Sequence, residues 1–239
     1  MQSDSLTLIK SLLCLFLSVL SCLAQETPQE LEDSRKILFD GQSLENWEIT
    51  DFAGRGEVGL DGNGSALLEF GIALTGIHWI GEELPRVNYE IRWDAMKVMG
   101  TDFFGSLTFP YLKSHGTLIL GGWGGALVGI SCIDGFDASE NDAATAHRFR
   151  TDHWYACRLR VMRTHLKFWV DDEQLIDCEV EGRKISMRTG EIEMSIPLGF
   201  STYDTSGLIK NVILIRLPDY EKPTRVSSGC FLSFIFAQP

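Results

Sequence analysis

The sequence has few basic residues. Its 239 residues include 21 Lys and Arg against 33 Asp and Glu, which gives a formal net charge of −12. Because nucleic-acid binding needs clustered Lys and Arg to neutralise phosphates, this balance excludes a nucleic-acid partner. The longest basic cluster, 158–167, alternates with apolar residues and is typical of one face of a strand.

The sequence also lacks the cysteine spacing of a structural zinc site. Its six cysteines include no Cys-x-x-Cys pair and no close Cys/His pairing. Cys157 and Cys178 lie inside strand-like runs, where a free thiol behaves as a small buried apolar residue, so we expect free thiols there. In an exported protein, a Cys157–Cys178 disulfide between adjacent strands is the alternative.

The N-terminal hydrophobic run is too short to span a membrane. It follows Lys10 and covers 11–24, which is fourteen residues, whereas a membrane-spanning helix needs about 20. This pattern predicts a secretory signal peptide over 1–24, cleaved after Ala24, and hence an exported protein, periplasmic or extracellular. Two alternatives stay open. In the first, the stretch 19–22, which resembles a bacterial lipobox, leaves a lipid anchor at Cys22. In the second, the hydrophobic run is a buried N-terminal helix.

Helical periodicity is absent after residue 36. Short apolar or alternating runs recur instead, separated by Gly, Asp, Asn and Ser, and alternation with one polar face indicates half-buried antiparallel strands. Their number and even spacing predict an all-β sandwich or jelly roll. The predicted strands are 66–71, 76–80, 88–98, 103–109, 117–121, 127–132, 154–162, 165–170, 173–178, 191–195, 198–202 and 207–217.

The same patterns predict the organisation of the chain. A polar leader, 25–36, precedes one sandwich domain over 37–218, and an apolar tail, 219–239, either docks as an edge strand or forms a free terminus. Asp171 and Asp172 are expected to form the turn of a hairpin. We also expect three tryptophans on apolar alternating faces to lie in the core: Trp93, Trp154 and Trp169.

Three segments resemble the 3-keto-disaccharide hydrolase domain family. The stretch 38–47 has the pattern Leu-Phe-Asp-Gly-x-x-Leu-x-x-Trp with which that family begins. The region 154–177 resembles the family's later Trp…Val…Asn-Gly…Asp segment, and Gly199 with Asn-Val-Ile-Leu-Ile-Arg-Leu at 211–217 resembles its closing Gly…Arg-Asn-Ile…Leu segment. The resemblance spans about residues 36 to 217. It implies a concanavalin A-like jelly roll of two antiparallel sheets, exported by bacteria, that acts on glycosides oxidised at carbon 3.

The resemblance also implies a type of chemistry. A 3-keto group acidifies the proton on carbon 2, so that a base can remove it while the glycosidic oxygen leaves, and hydration follows. This needs a carboxylate or His base and an electrophile, often a metal ion, at the keto oxygen. The family's Arg and Glu-x-Gln residues have no counterparts in 100–109 and 117–125, so no catalytic residue is carried over. A non-catalytic carbohydrate-binding or surface-interaction module is therefore the alternative to a keto-glycoside-cleaving hydrolase or eliminase.

A glycine-rich segment is the first candidate site. Trp123 stands between Gly122 and Gly124 in a run of four glycines and one aromatic. Glycine allows close backbone approach to a ligand, and a Trp face is a flat apolar platform suited to a sugar ring. These three residues, together with Asn141, are the predicted substrate-binding set for a saccharide. The alternative is a glycine bend around a core tryptophan.

An acidic loop is the second candidate site. Four acids within 134–142 could supply oxygen ligands for a divalent cation such as Ca²⁺, although the spacing is not that of an EF-hand; they are Asp134, Asp137, Glu140 and Asp142. A solvated loop is the alternative.

Proton transfer has its own candidates. Asp102 begins an apolar stretch, where an acid must face solvent, a cleft or a partner. We therefore name Asp102, Asp134 and Asp137 as candidate acid–base groups. His115 is a fourth, either as a base or as an ordinary histidine of a surface turn.

Overall fold

In the computed structural model, which describes residues 34–218, the chain forms a jelly-roll sandwich of two antiparallel sheets. The strands of the described part are β1 (Arg35–Phe39), β2 (Trp47–Ile49), β3 (Val58–Leu60), β4 (Ala66–Leu68), β5 (Leu74–Trp79), β6 (Tyr89–Gly100), β7 (Ser106–Tyr111), β8 (Ser114–Gly121), β9 (Leu127–Ser131), β10 (Thr145–Ala146), β11 (Trp154–Val161), β12 (His165–Val170), β13 (Glu173–Glu179), β14 (Gly199–Tyr203) and β15 (Thr205–Arg216). A four-residue helical turn (Gly122–Gly125) follows β8, and a 3-10 helix (Glu191–Ser195) precedes β14.

The two sheets have different sizes. Sheet A has eight strands in the order β13-β12-β11-β6-β15-β4-β3, and β1 also pairs with β15. Sheet B has seven strands in the order β10-β9-β8-β7-β14-β5-β2. The inward face of each sheet is apolar, as the alternation predicts: on β6, Tyr89, Ile91 and Trp93 are buried in the core.

Sheet B is buried on both faces, and this positions the candidate site. On β8, Leu118 and Leu120 point into the core, whereas Thr117 and Ile119 point to the outer face. All four are almost fully buried, because loops cover the outer face as well. Thr117 is also the cross-strand partner of Ser131 on β9, so a buried polar floor lies on the outer side of sheet B.

The fold class and the hairpin are confirmed, and some details are corrected. Strands β12 and β13 pair antiparallel across the turn at Asp171 and Asp172. The predicted strand over Glu191–Ser195 is wrong. The N–H of Glu193 donates to the carbonyl of Gly190 at 3.1 Å and its side chain accepts from the Gly190 N–H at 3.2 Å, which closes a 3-10 turn. The sequence pattern also missed β1, β2, β3 and β10, which are short.

The prediction that three tryptophans lie in the core is right for one of them. Trp93 is 1% exposed and lies in the core. Trp154 and Trp169 lie on the outer face of sheet A, where the ammonium of Lys210 is 3.8 Å from the Trp154 ring centroid and the guanidinium of Arg158 is 4.0 Å from that of Trp169. Long basic side chains cover these rings, so alternation alone could not distinguish them from core residues.

The cysteines of the described part are free and buried. They are Cys132, Cys157 and Cys178. The alternative of a Cys157–Cys178 bridge is wrong, because β12 lies between β11 and β13, the strands that bear them. No helix within residues 34–218 has the length and apolarity needed to cross a membrane. The predicted signal peptide, the anchor at Cys22, most of the leader and the tail lie outside the described residues.

Candidate functional site

A cleft of about 390 Å³ opens on the outer face of sheet B. Thr117, Ile119 and Ser131 form its floor. Its walls come from five segments: the β6–β7 loop, the helical turn after β8, the loop after β9, the segment that precedes β14 and the end of β14. The wall residues used below are Asp102, Phe103, Trp123, Asp137, Arg188 and Tyr203.

Asp102 is fixed by backbone amides. Its Oδ1 accepts a hydrogen bond from the N–H of Phe103 at 2.8 Å, and its Oδ2 accepts one from the N–H of Gly124 at 3.2 Å. Its own N–H donates to the hydroxyl of Thr205 at 3.0 Å. The carboxylate is therefore held at the cleft wall and joined to the turn that presents Trp123.

Trp123 stands at the tip of the helical turn. Its φ of 49° is in the left-handed region, which is unusual for a residue other than glycine, and the residue is 46% exposed. The turn needs Gly122, because a Cβ there would lie 2.6 Å from the Ile119 side chain. Gly124, at φ 86°, supplies the second left-handed position and the amide that binds Asp102. The glycines thus place an indole ring at the mouth of the cleft.

Asp137 joins the floor of the cleft to its rim. Its Oδ1 accepts hydrogen bonds from the Ser131 hydroxyl at 2.5 Å and from the Ala138 N–H at 2.8 Å. Its Oδ2 pairs with the Arg188 guanidinium at 2.9 Å. The Asp137 side chain is 18% exposed and that of Arg188 is 65% exposed, so the guanidinium projects into solvent above a shielded carboxylate.

A second, more open cavity of about 530 Å³ adjoins the first. The two share Trp123, Asp137, Arg188 and Thr189, and the second adds Glu140. Together they form one groove that runs past the indole ring, with a more apolar half at Phe103 and a more polar half at Glu140. The polar groups of the shared part converge on a largely apolar cleft, which is the usual composition of a small-molecule site.

The predicted metal ligands are not assembled into a metal site. Arg183 pairs with Asp134 at 2.8 Å and with Asp142 at 2.8 Å, while Asp137 pairs with Arg188. The Lys184 N–H and the Arg183 guanidinium lower the pKa of the Asp134 carboxyl, and these carboxylates raise the pKa of Arg183. Within residues 34–218, no group of three or more His, Cys, Asp or Glu could hold a metal ion. The acids of this loop are arranged around arginines, and the donor set does not fit Ca²⁺.

Three further predicted residues lie outside the cleft wall. His115 is half-buried on β8, its Nε2 is 3.5 Å from the Arg86 guanidinium, and burial together with that charge lowers its pKa. Asn141 donates from Nδ2 to three backbone carbonyls of the 130–137 region, so it holds the acidic loop in shape. Asp134 lies at the turn with Arg183. The structure therefore brings Asp102, Trp123 and Asp137 together and leaves these three apart.

Several cleft residues were missed by the sequence analysis. Arg188, Thr189 and Glu191 come from the segment that precedes β14, and Tyr203 comes from the end of that strand. No motif marks them, and the alternation in 191–195 suggested a strand. The only local signal is Gly190, whose φ of 137° shows that the chain turns there.

The fold is shared with a solved transglycosylase. No protein-family model and no curated protein matches the sequence. Apo Crh5 transglycosylase has a TM-score of 0.55 at 10% identity, covering 79% of this chain and 86% of that one. Crh5 transglycosylase in complex with NAG has a TM-score of 0.52 at 14% identity, covering 78% and 85%. A laminarinase from Flavobacterium sp. UMI-01 has a TM-score of 0.49 at 11% identity, covering 76% and 100%. At these identities the Crh5 similarity shows the fold.

Proposed function

We propose that this chain is an exported carbohydrate-active protein that binds a saccharide in the cleft beside Trp123. The observation that carries the proposal is the exposed indole face standing next to a fixed carboxylate, Asp102, and a projecting guanidinium, Arg188. Sugar rings present an apolar face that suits an aromatic platform and hydroxyls that suit charged hydrogen-bond partners. The volume of about 390 Å³ is within the range of small-molecule sites.

The fold supports the same proposal. Crh5, whose fold this chain shares, is a transglycosylase, and one of its structures holds NAG. A jelly roll hosts many functions, so the fold alone gives only the class of ligand to test. The site must decide the activity.

Cleavage of 3-keto-glycosides is the activity that we propose for the cleft. Asp102 would remove the proton on carbon 2, the bond between carbon 1 and the glycosidic oxygen would break, and that oxygen would take up a proton. Water would then add to the resulting enone. Arg188 is the cation that the cleft offers to the negative charge that develops on the keto oxygen.

The resemblance to the 3-keto-disaccharide hydrolase domain supports this substrate class, but only through residues that build the fold. In the opening motif, Leu38, Phe39 and Trp47 are buried in the core, and the Trp47 indole N–H donates to the Leu38 carbonyl at 2.9 Å. The motif therefore secures the N-terminal strand and holds no cleft residue. It supports a related fold, while the chemistry depends on Asp102 and Arg188.

A non-catalytic binding module is the second candidate, and one observation favours it. The carboxylate of Asp137 already accepts three hydrogen bonds, so it is poorly placed to exchange a proton with a ligand. Asp102 is then the one predicted acid–base residue at the cleft that is not paired with an arginine. A binding module would need only the indole and the polar rim.

One incubation separates the two candidates. The chain from residue 25 to residue 239 is incubated with 3-keto-trehalose and with 3-keto-glucosides, and sugar release is followed beside binding by calorimetry. Release that Asp102→Asn abolishes, with binding retained, supports the cleaving enzyme. Binding without release supports the module. Neither binding nor release would contradict the proposal. EDTA is expected to leave release unchanged, because the acids of the loop at 134–142 are arranged around arginines.

A further inference from the structure

Three arginines surround one buried carboxylate on the outer face of sheet A. Glu90, on β6, is 1% exposed. Its Oε1 accepts from the Nε and Nη2 of Arg92, both at 2.6 Å, and its Oε2 accepts from the Nε and Nη2 of Arg160 at 2.9 and 2.7 Å. Arg158 approaches the same oxygen at 3.9 Å. This face lies opposite the cleft, which is on sheet B.

Strand register explains why these residues meet. Two neighbouring cross-strand rows run over β1, β15, β6, β11, β12 and β13. The first row is Arg35, Ile215, Glu90, Arg160, Lys167 and Asp177; the second is Ile37, Ile213, Arg92, Arg158, Trp169 and Gln174. We call Arg92, Arg158 and Arg160 with Trp169 the arginine face.

The arginine face has more positive charge than its carboxylate can balance. Within residues 34–218, Glu90 is the one acid that pairs with these three arginines, and the other pair in the row, Lys167 with Asp177, is neutral by itself. Two guanidinium charges are therefore left uncompensated at short range. Like charges this close repel, and a further anion would relieve that repulsion.

The guanidinium groups are fixed and accessible. The exposed fractions of the arginine side chains are 52% for Arg92, 32% for Arg158 and 33% for Arg160. Arg92 and Arg160 each use the Nε edge to bind Glu90, which leaves the outer edge towards solvent. Arg158 stacks on Trp169 at 4.0 Å and Arg160 lies 5.7 Å from the same ring. Little side-chain entropy remains to be lost when an anion binds, which favours affinity.

We propose that the arginine face is a second binding surface, which takes the carboxylate or sulfate groups of an acidic polysaccharide. A guanidinium fork matches either group bidentately. The inference does not rest on the cleft or on its proposed activity.

The observations favour a polysaccharide over other polyanions. Nucleic acid has one charge per about 1.7 Å, and the three arginines of this face could neutralise only a small part of so dense a polyanion. At physiological salt, charges more than about 8 Å away are largely screened, so a sparsely charged glycan would meet mainly the local positive surface. Insertion of the arginine face into a lipid surface is disfavoured, because Arg158 already covers the aromatic side chain of that face, Trp169.

The test compares polysaccharides of different charge on the same protein. Binding of residues 25–239 to polygalacturonate, chondroitin sulfate and uncharged dextran is measured at 50 and 300 mM salt. We expect binding to one or both acidic polymers, weakening with salt, and none to dextran. Arg92→Gln/Arg158→Gln should weaken binding at least tenfold. The matched control, Lys113→Gln/Arg148→Gln, removes two exposed charges elsewhere and should change it less than twofold.

Three further measurements distinguish loss of binding at the arginine face from unfolding and from binding in the cleft. Thermal unfolding shows that each variant folds, and Arg158→Lys, which keeps the charge without the fork, should give an intermediate loss. Trp123→Ala should leave binding to the acidic polymers unchanged, which separates this surface from the cleft. The proposal is overturned if neither polymer binds or if both double variants weaken binding equally.

Discussion

The carboxylate of Asp137 and the guanidinium of Arg188 lie 2.9 Å apart and join two loops that are 51 positions apart in the chain. The same carboxylate accepts a hydrogen bond from Ser131 on β9, so one side chain connects the floor of the cleft to its rim. The wall beside Trp123 thus depends on a tertiary contact. The shape of the site and the stability of this region should therefore respond together to changes at Asp137.

Removing Asp137 should destabilise the fold. Asp137→Ala removes the charged acceptor of the buried Ser131 hydroxyl and leaves it only the weak Cys132 thiol 3.3 Å away, which costs about 1–3 kcal/mol. Loss of the Arg188 pair adds little, because that guanidinium is 65% exposed. Urea unfolding of Asp137→Ala measures the change. Asp172→Ala, in the exposed hairpin turn, is the matched control and should stay near wild type. Equal stabilities for the two variants would contradict the account.

The acidic loop should show a pH signature. Because the folded pKa of Asp134 lies below its usual 3.8, its stabilising contribution is present above that value and is lost as the pH falls through the folded pKa. Asp134→Asn should therefore be less stable than wild type at pH 6, and the difference should shrink towards pH 3. Asn tolerates the left-handed φ of 55° at this position, so the backbone is preserved. If thermal unfolding gives the same stability difference between wild type and Asp134→Asn at pH 6 and at pH 3, the Asp134 carboxylate is not the cause of that difference.

The buried Cys157 thiol should be protected from alkylation in the folded protein, and it should not form a disulfide. Burial, with the nearby charges of Asp171 and Asp94, raises the pKa of Cys157 well above its usual range. Because the thiolate is the reactive form, iodoacetamide at neutral pH should leave Cys157 unmodified in the native protein. In denaturant without reductant, Cys132, Cys157 and Cys178 should all be alkylated. A disulfide-linked peptide containing Cys157, found by mass spectrometry, would refute this.

Asp102 should matter for turnover and not for binding. Asp102→Asn keeps one oxygen that accepts from the Phe103 amide, loses the longer bond from the Gly124 amide and removes the base, so release from 3-keto-trehalose should fall about 100-fold or more. Calorimetric affinity should change less than threefold. Asp172→Asn is the control for loss of one carboxylate, and it should release sugar at the wild-type rate. If Asp102→Asn releases sugar at the wild-type rate, Asp102 is not the base.

Local patterns in the sequence were sufficient for most of the fold. Period-two alternation predicts strands such as β6 and β11, and the Asp171–Asp172 turn predicts the hairpin, because both depend on neighbouring residues. The alternation in Glu191–Ser195 predicted a strand, and i to i+3 hydrogen bonding decided otherwise. Trp169 was placed in the core because its covering arginine lies on another strand.

The candidate site was only partly accessible from the sequence. Asp102 and Trp123 were named because an acid in an apolar run and an indole among glycines are unusual by themselves. Arg188 was missed because its partner is 51 positions away. The arginine pairs of the predicted metal ligands were missed for the same reason, since Arg183 reaches Asp134 and Asp142 from 49 and 41 positions along the chain. Convergence of distant loops is set by strand order, which no single segment encodes.

The central claim is that the cleft binds a saccharide through Trp123, and calorimetry tests it most directly. Residues 25–239 are titrated with 3-keto-trehalose and a 3-keto-glucoside, in the Asp102→Asn background so that no ligand is consumed. We predict binding that Trp123→Ala weakens at least tenfold. Phe136→Ala, which removes an exposed aromatic from the neighbouring loop outside both cavities, should leave it unchanged. Absence of binding, or equal affinity for the two aromatic variants, would contradict the account.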